Sequence, residues 1–333
     1  MLKISSAPHM ASPVSTETLM KNVIIALMPA VLVSLLIFGF NAFQVLLTSV
    51  AACVACEYLI CRYFLKTPPT TGDFSAVITG ILLGFNLPSS IPLWMILIGA
   101  FFAIGITKMA YGGLGKNLFN PALVGRVFLF ISFPQQMTTW PQPQFGNFFA
   151  ADAQTGATTL GILKHLSPET LSDGLIKHSY HIDNVPSYTN MLLGNTGGSL
   201  GEVSALALLI GLFYMLYKKV ITWHIPFYYL STVFILTSIM WFFKQTPNLD
   251  PVAHLLSGGL ILGAVFMATD YVTSPMTTNG KIIFAVGCGA LTVIIRVFSA
   301  YPEGVSFAIL IMNAFVPLID SWCIPRVYGA GRK

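Results

Sequence analysis

"VIIALMPAVLVSLLIF" (Val23–Phe38) and "AFQVLLTSVAACVACEYLICRYF" (Ala42–Phe64) follow one another with only Gly39, Phe40 and Asn41 between them. Neither run has the alternation of a half-buried strand, and each is long enough to cross or nearly cross a bilayer as a helix, which takes about 20 apolar residues. A chain that begins this way is a membrane protein, and its composition agrees. Hydrophobic residues make up 55% of the 333 positions and charged residues only 9%, against about 25% charged in soluble domains. The mean hydropathy is +0.76.

Continuing outward, ten apolar stretches can be read, at roughly 23–38, 42–64, 74–88, 92–110, 120–133, 201–217, 224–243, 252–269, 281–299 and 304–322. The third and fifth are short, so they are expected to be tilted, broken or covered by protein, since irregular backbone is not tolerated against lipid. The fold class expected is therefore an all-α polytopic membrane protein of about ten transmembrane helices. With the N-terminus in the cytoplasm, the inner side receives Lys3, Lys21, Arg62, Lys66, Lys108, Lys116, Lys218, Lys219, Lys281, Arg326, Arg332 and Lys333. The outer side receives Lys164, Lys177 and Lys244. That bias sets the orientation by the positive-inside rule. It divides the chain into a cytoplasmic segment 1–22, a membrane half 23–133, an extracytoplasmic loop 134–200, a second membrane half 201–322 and a cytoplasmic tail 323–333. The first twenty residues lack a cleavable signal pattern. The net charge of +5 comes from scattered basic residues near span ends, which excludes a nucleic-acid partner and suits contact with membrane lipid.

The two halves resemble each other. "TGILLG" (Thr79–Gly84) parallels "GGLILG" (Gly258–Gly263). "AYGGLG" (Ala110–Gly115) parallels "AYPEG" (Ala300–Gly304), and each is followed by an apolar segment holding an asparagine, Asn120 and Asn313. The offset is five spans, an odd number, which predicts two five-helix inverted repeats with a path or site near the midplane. The plainer explanation is chance likeness of glycine-rich apolar helices.

Few short motifs carry chemistry. "GGLGKN" (Gly112–Asn117) lacks the first Gly and the Ser/Thr of a phosphate loop and reads as a tight turn. Cys53-x-x-Cys56 with Cys61 does not assemble a four-ligand cluster; buried small fillers are the better reading, and a disulfide framework is not expected. His178 and His181 lack two further zinc ligands. No metal site is expected, and no catalytic residue is assigned. Arg126 and Arg296 lie within apolar segments, so each must face protein and find an acceptor, with Glu303 one candidate for Arg296. His254 lines a path or sits at the interface. Glu57, Asp73 and Asp270 lie near inner span ends, where structural pairing is the plain reading.

In the outer loop stands "DAQTGATTLG" (Asp152–Gly161). Thr158 or Thr159 is placed to cap a short helix beginning at Leu160. Small neighbours, Gly156 and Ala157, leave the Thr158 hydroxyl accessible. No base at a suitable spacing would make it a nucleophile, but it is open to modification by another enzyme.

The long segments "GDFSAVITGILLGFNLP", "YGGLGKNLFNPALVGRVFLFISFP", "FMATDYVTSPMT" and "IIRVFSAYPEGVSFAILIMN", with "SSAPHM…STETLM" near the start, carry a resemblance over nearly the whole chain. It resembles the family that contains the D subunit of the Rnf ion-translocating electron-transport complex and the B subunit of the sodium-translocating NADH:quinone reductase. A first span near residue 23 suits the Rnf branch. The resemblance implies FMN joined through its phosphate to the last threonine of D-x-x-[ST]-G-A-T. Here that pattern is Asp152, Thr155, Gly156, Ala157 and Thr158, with Thr158 the acceptor. It implies a separate flavin transferase for maturation, and partners in the complex's A, B, C, E and G subunits. It also implies a bacterial inner-membrane location and a role in electron transfer between ferredoxin and NAD coupled to Na⁺ or H⁺ export. A noncovalent riboflavin in the membrane domain belongs to the same expectation, without assigned residues. Tyr271 stands where the family is associated with Pro. The competing reading is a solute channel or transporter built on the inverted repeat, which would have no use for the D-x-x-T-G-A-T loop.

Overall fold

The computed structural model describes residues 15–142, 155–156, 158, 160–161, 187–202, 204–243, 250–299 and 303–324. Helix α1 (Thr16–Leu59) starts on a Ser15 cap, whose hydroxyl accepts from Thr18 N at 3.2 Å, and runs on as a π-helical turn to Leu65. This 50-residue run would be about 75 Å long if straight, against a bilayer core of about 30 Å. It is not straight. Gly39 has φ 58° and ψ −137°, a conformation open to glycine and strained for other residues. Lys21 near its start lies 5.2 Å over the Phe74 ring, while Glu57 near its end bonds Thr70. The two arms therefore return to one end of the bundle, as the two apolar runs either side of Gly39 require.

Among the described residues, four helices are long and apolar enough to cross a membrane: the α1 run, α8 (His224–Phe242), α11 (Thr278–Phe298) and α12 (Val305–Trp322). Shorter apolar helices fill in between them: α2 (Ser75–Phe85), α3 (Leu93–Ala100, continuing π-helically to Met109), α4 (Pro121–Ser132) and α7 (Ala205–Tyr217). Three further short helices are α5 (Pro134–Met137), α6 (Tyr188–Leu193) and α9 (Pro251–Leu256), and α10 (Leu260–Leu262) runs on as a π-helical turn to Met267. The protein is thus helical and polytopic. The expected short third segment is α2, which is largely buried. The expected eighth is broken at Ser257–Gly259 between α9 and α10. One small departure from an all-helical fold is an antiparallel pair, β1 (Trp140–Pro141) with β2 (Thr155–Gly156), in the register Trp140 opposite Gly156.

The segment Ser199–Glu202 enters the bundle without being helical. It can do so because its backbone completes that of α2: Gly201 N donates to Phe85 O at 2.8 Å and Leu200 N to Leu87 O at 3.2 Å. Irregular backbone at this depth is tolerated only when protein satisfies it. A Cβ at Gly201 would lie 2.5 Å from Phe85 Cβ and 3.0 Å from Leu262 Cδ2. Gly201→Ala should therefore cost about 1–3 kcal/mol by overpacking. Thermal denaturation in detergent checks this, with a lowered midpoint expected and an unchanged one contrary to this packing.

Candidate functional site

Helix α4 begins at Asn120, whose Oδ1 accepts from Ala122 N at 3.1 Å and Leu123 N at 3.4 Å, with Pro121 in the first turn where its missing N–H does no harm. Ala122, Gly125, Arg126 and Leu129 fall on one buried face at helical spacing. This carries Arg126 into the protein. Its Nη1 donates to Asn86 Oδ1 at 3.0 Å and Ser306 Oγ at 2.7 Å. Its Nη2 reaches Glu202 Oε1 at 3.5 Å and forms a short ion pair with Glu303 Oε2. One guanidinium thus joins α4, the loop after α2, the Ser199–Glu202 segment and the start of α12. Arg's planar fork of donors suits such multiple engagement better than a lysine would.

Arg296 on α11 is also turned inward, as a charge in an apolar helix demands. Its Nη1 donates to His254 O at 2.6 Å and its Nη2 to Ser257 O at 3.1 Å. These carbonyls end α9, where helical partners run out. The sequence pointed to Glu303 as a partner for Arg296; the structure pairs that carboxylate with Arg126. His254 is buried within the protein.

Above Arg126 lies a pocket bounded by Thr158, Leu160, Met191, Thr196–Gly198, Glu202, Leu256–Gly258 and Glu303. Thr158 Oγ1 accepts from Gly161 N at 3.1 Å, the helix-capping role expected. The expected accessibility does not hold: Thr158 is only 8% exposed. Thr158 and Leu160 share this pocket with the α6–α7 connection and the α9–α10 break. Gly156 is paired to Trp140 in β2 and Thr155 to Pro141; Asp152 and Ala157 lie outside the described residues, as do His178, His181 and Lys164.

A second, larger pocket of about 800 Å³, part of it open to solvent, faces the end of the bundle that holds Lys21 and Glu57. Its walls are mainly apolar, from Val23, Ile78, Leu82 and Phe266, with Asn117, Asn120, Lys108 and Asp270 supplying polar groups. Lys108, counted from sequence among the inner cations, is buried: Nζ donates to Glu57 Oε2 at 2.7 Å and Ser75 Oγ at 2.6 Å. The two pockets are linked by polar groups. Asn86 Nδ2 donates to Leu82 O at 2.6 Å and lies 3.8 Å from Met267 Sδ, and Asn120 Nδ2 donates to Met267 O at 3.1 Å. Asn313, with its amide oriented to satisfy all its neighbours, accepts from Asn120 N at 3.2 Å, so the two asparagines of the apparent repeat meet. Gly112, Gly113 and Gly115 hold the left-handed conformations of the tight turn read from "GGLGKN". All five cysteines are free thiols. Among the described residues no cluster of His, Cys, Asp and Glu is arranged to hold a metal.

The structure therefore defines a polytopic helical membrane protein with a small charged pocket beside a threonine and a larger apolar pocket toward the opposite end. The chain belongs to the NQR2, RnfD, RnfE family, whose pattern matches residues 3–329. It is 44% identical over 330 residues to the D subunit of the Na(+)-translocating ferredoxin:NAD(+) oxidoreductase complex of Acetobacterium woodii, covering 98% of this chain and 95% of that one. It is equally 44% identical over 332 residues to the D subunit of the proton-translocating ferredoxin:NAD(+) oxidoreductase complex of Clostridium ljungdahlii, covering 99% and 96%. It is 35% identical over 346 residues to the D subunit of the ion-translocating oxidoreductase complex of Escherichia coli strain SE11, covering 98% of each chain.

Replacing Arg126 by Met keeps an elongated side chain but leaves buried Glu202 and partly buried Glu303 without this cation. The expected loss is about 3–5 kcal/mol, the cost of breaking a buried pair from one side. Thermal melting of the purified protein checks it; a midpoint equal to wild type would show that Arg126 does not hold these segments together.

Proposed function

We propose that this chain is the D subunit of an Rnf-type ion-translocating ferredoxin:NAD⁺ oxidoreductase and carries FMN in phosphoester linkage to Thr158. Membership of the family and full-length similarity to three D subunits support the complex. The observation that carries the flavin assignment is the setting of Thr158 Oγ1. The helix cap uses this oxygen as an acceptor and makes no use of its proton, the atom that a phosphoester would replace. The rim around it is glycine at 197, 198 and 258, which leaves room beside the oxygen, and it also holds Glu202 and Glu303, both paired with Arg126.

When bound, the flavin supplies one- and two-electron transfer. The chain's own part is to fix the attachment point, to limit water through the closed walls, and to present fixed charge below it. Because Thr158 is buried in the docked loop, transfer by the flavin transferase precedes docking. The larger pocket is the place for noncovalent riboflavin, since apolar walls with a few placed amides suit a flat heteroaromatic ring. In this reading the protein has ten spans as two inverted repeats in the bacterial inner membrane, with residues 134–200 outside. Its partners are the A, B, C, E and G subunits. Transport is of Na⁺ or H⁺. Two relatives of equal identity are named for different ions, so the choice lies in local ligands rather than in overall similarity. The isolated chain does not run the full reaction.

In cells that express the transferase, the denatured protein should retain flavin fluorescence in a gel, and Thr158→Ala should abolish it. Fluorescence that survives the substitution would move the attachment elsewhere, and none in wild type would remove the covalent flavin altogether. A label reactive with a residue introduced at Lys164 should bind from outside intact cells; labelling only after lysis would invert the topology.

A further inference from the structure

The turn between α7 and α8 has two sides. Val220 and Ile221 line the larger pocket, whereas Tyr217, Lys218, Lys219, Thr222 and Trp223 are exposed. The turn is held in place from within and from outside itself. Lys218 N donates to Tyr214 O at 3.0 Å, Lys219 N to Leu216 O at 3.1 Å and Val220 N to Met215 O at 2.9 Å. The Tyr271 hydroxyl, from the segment that follows α10, donates to Val220 O. These bonds keep Lys219 at φ 55°, a left-handed conformation that is uncommon for a residue with a Cβ. The exposed side chains therefore project from a fixed backbone. Lys218 Nζ lies 6.0 Å over the Tyr217 ring, Lys219 follows it, and Lys281 on α11 reaches Thr222 Oγ1 at 3.5 Å. Among the described residues, none of these lysines takes part in an ion pair. Lys281 also sits near the N-terminal end of α11, where the helix dipole disfavours a cation and favours an anion.

Aromatic and apolar side chains continue from the lysines along the helices. Tyr217 is 82% exposed and Trp223 50%, and Trp223 stacks on His224 at 4.4 Å and meets Phe227 edge-on at 5.6 Å. Beyond them Ile210 and Phe213 on α7 and Phe234 on α8 are exposed in turn. Cations at the helix ends, then aromatic rings, then apolar side chains is the order of a bilayer boundary. We propose that the α7–α8 turn, with Lys281, binds the headgroup of an anionic phospholipid. Its phosphate sits among Lys218, Lys219 and Lys281, and its acyl chains lie along the exposed sides of α7 and α8. A zwitterionic lipid suits the site less well, because its own ammonium group would meet unpaired lysines. The apolar side chains that run on from the turn favour a lipid over a soluble acidic protein. The inference does not depend on the flavin assignment.

The test is photo-crosslinking in cells that make the full chain with a benzoylphenylalanine in place of Tyr217, followed by mass spectrometry of the adduct. Phosphatidylglycerol or cardiolipin should be captured in excess over phosphatidylethanolamine, relative to their abundance in the membrane. Lys218→Gln, Lys219→Gln and Lys281→Gln should each lower that excess, by about fivefold for a cation beside an anionic lipid surface. Total lipid capture should stay unchanged in them, which shows that the fold is kept. Lys66→Gln removes an exposed cation that follows the end of the α1 run and should leave the excess as it is. Capture in proportion to abundance overturns the inference, as does the lack of any lipid adduct. An equal loss in Lys66→Gln also overturns it, since the preference would then belong to the general charge of that membrane face. An adduct with another protein chain overturns it by making the turn a protein interface.

Discussion

A guanidinium group buried among apolar helices has to be neutralised, and much of one end of this protein follows from how Arg126 meets that requirement. Its acceptors lie 40, 76, 177 and 180 residues away in sequence, at Asn86, Glu202, Glu303 and Ser306. Holding them fixes the end of α2, the non-helical Ser199–Glu202 entry and the start of α12 in one place. The floor of the Thr158 pocket is the same set of carboxylates. Stability and site are therefore not separable here: the interaction that closes the bundle also sets the charge under the proposed flavin. A buried ion pair is a weak source of net stability compared with apolar packing. Its value in this protein lies in specifying which segments meet.

How much of this could be read beforehand depends on the range of the physics involved. The membrane class, the two arms around Gly39 and the break near Gly258 are local, set by hydropathy and by backbone that only glycine adopts freely. That Arg126 and Arg296 turn inward was likewise legible, because lipid excludes the alternative. Their partners were not, since nothing in a sequence ranks acceptors that lie far apart in the chain; Glu303, one candidate for the nearer Arg296, forms its ion pair with the more distant Arg126. Glu202 escaped notice because "GGSLGEVS" looks like a loop end rather than a segment that enters the bundle. The burial of Lys108 near a span end was not legible either, because it depends on Glu57 and Ser75 from distant segments. For Thr158, the capping role was local and correct. Its burial depends on α6, α7 and the α9–α10 break, which no inspection of "TGATT" reveals.

The two pockets differ in chemistry. The one beside Thr158 is small and lined in part by the carboxylates of Glu202 and Glu303. The one facing the end that holds Lys21 is larger and mainly apolar. Between them, Asn86, Met267 and Asn120 form a short polar bridge through the middle of the bundle, where the asparagines of the two apparent repeats also touch.

The central claim is the chemical state of one oxygen atom. Peptide mapping by mass spectrometry of the protein purified from cells containing the transferase tests it most directly. The account predicts that the peptide spanning Asp152–Gly161 carries the mass of an FMN phosphoester, and that fragmentation places it on Thr158. Recovery of that peptide solely in unmodified form, or with the flavin on Thr155 or Thr159, would contradict it.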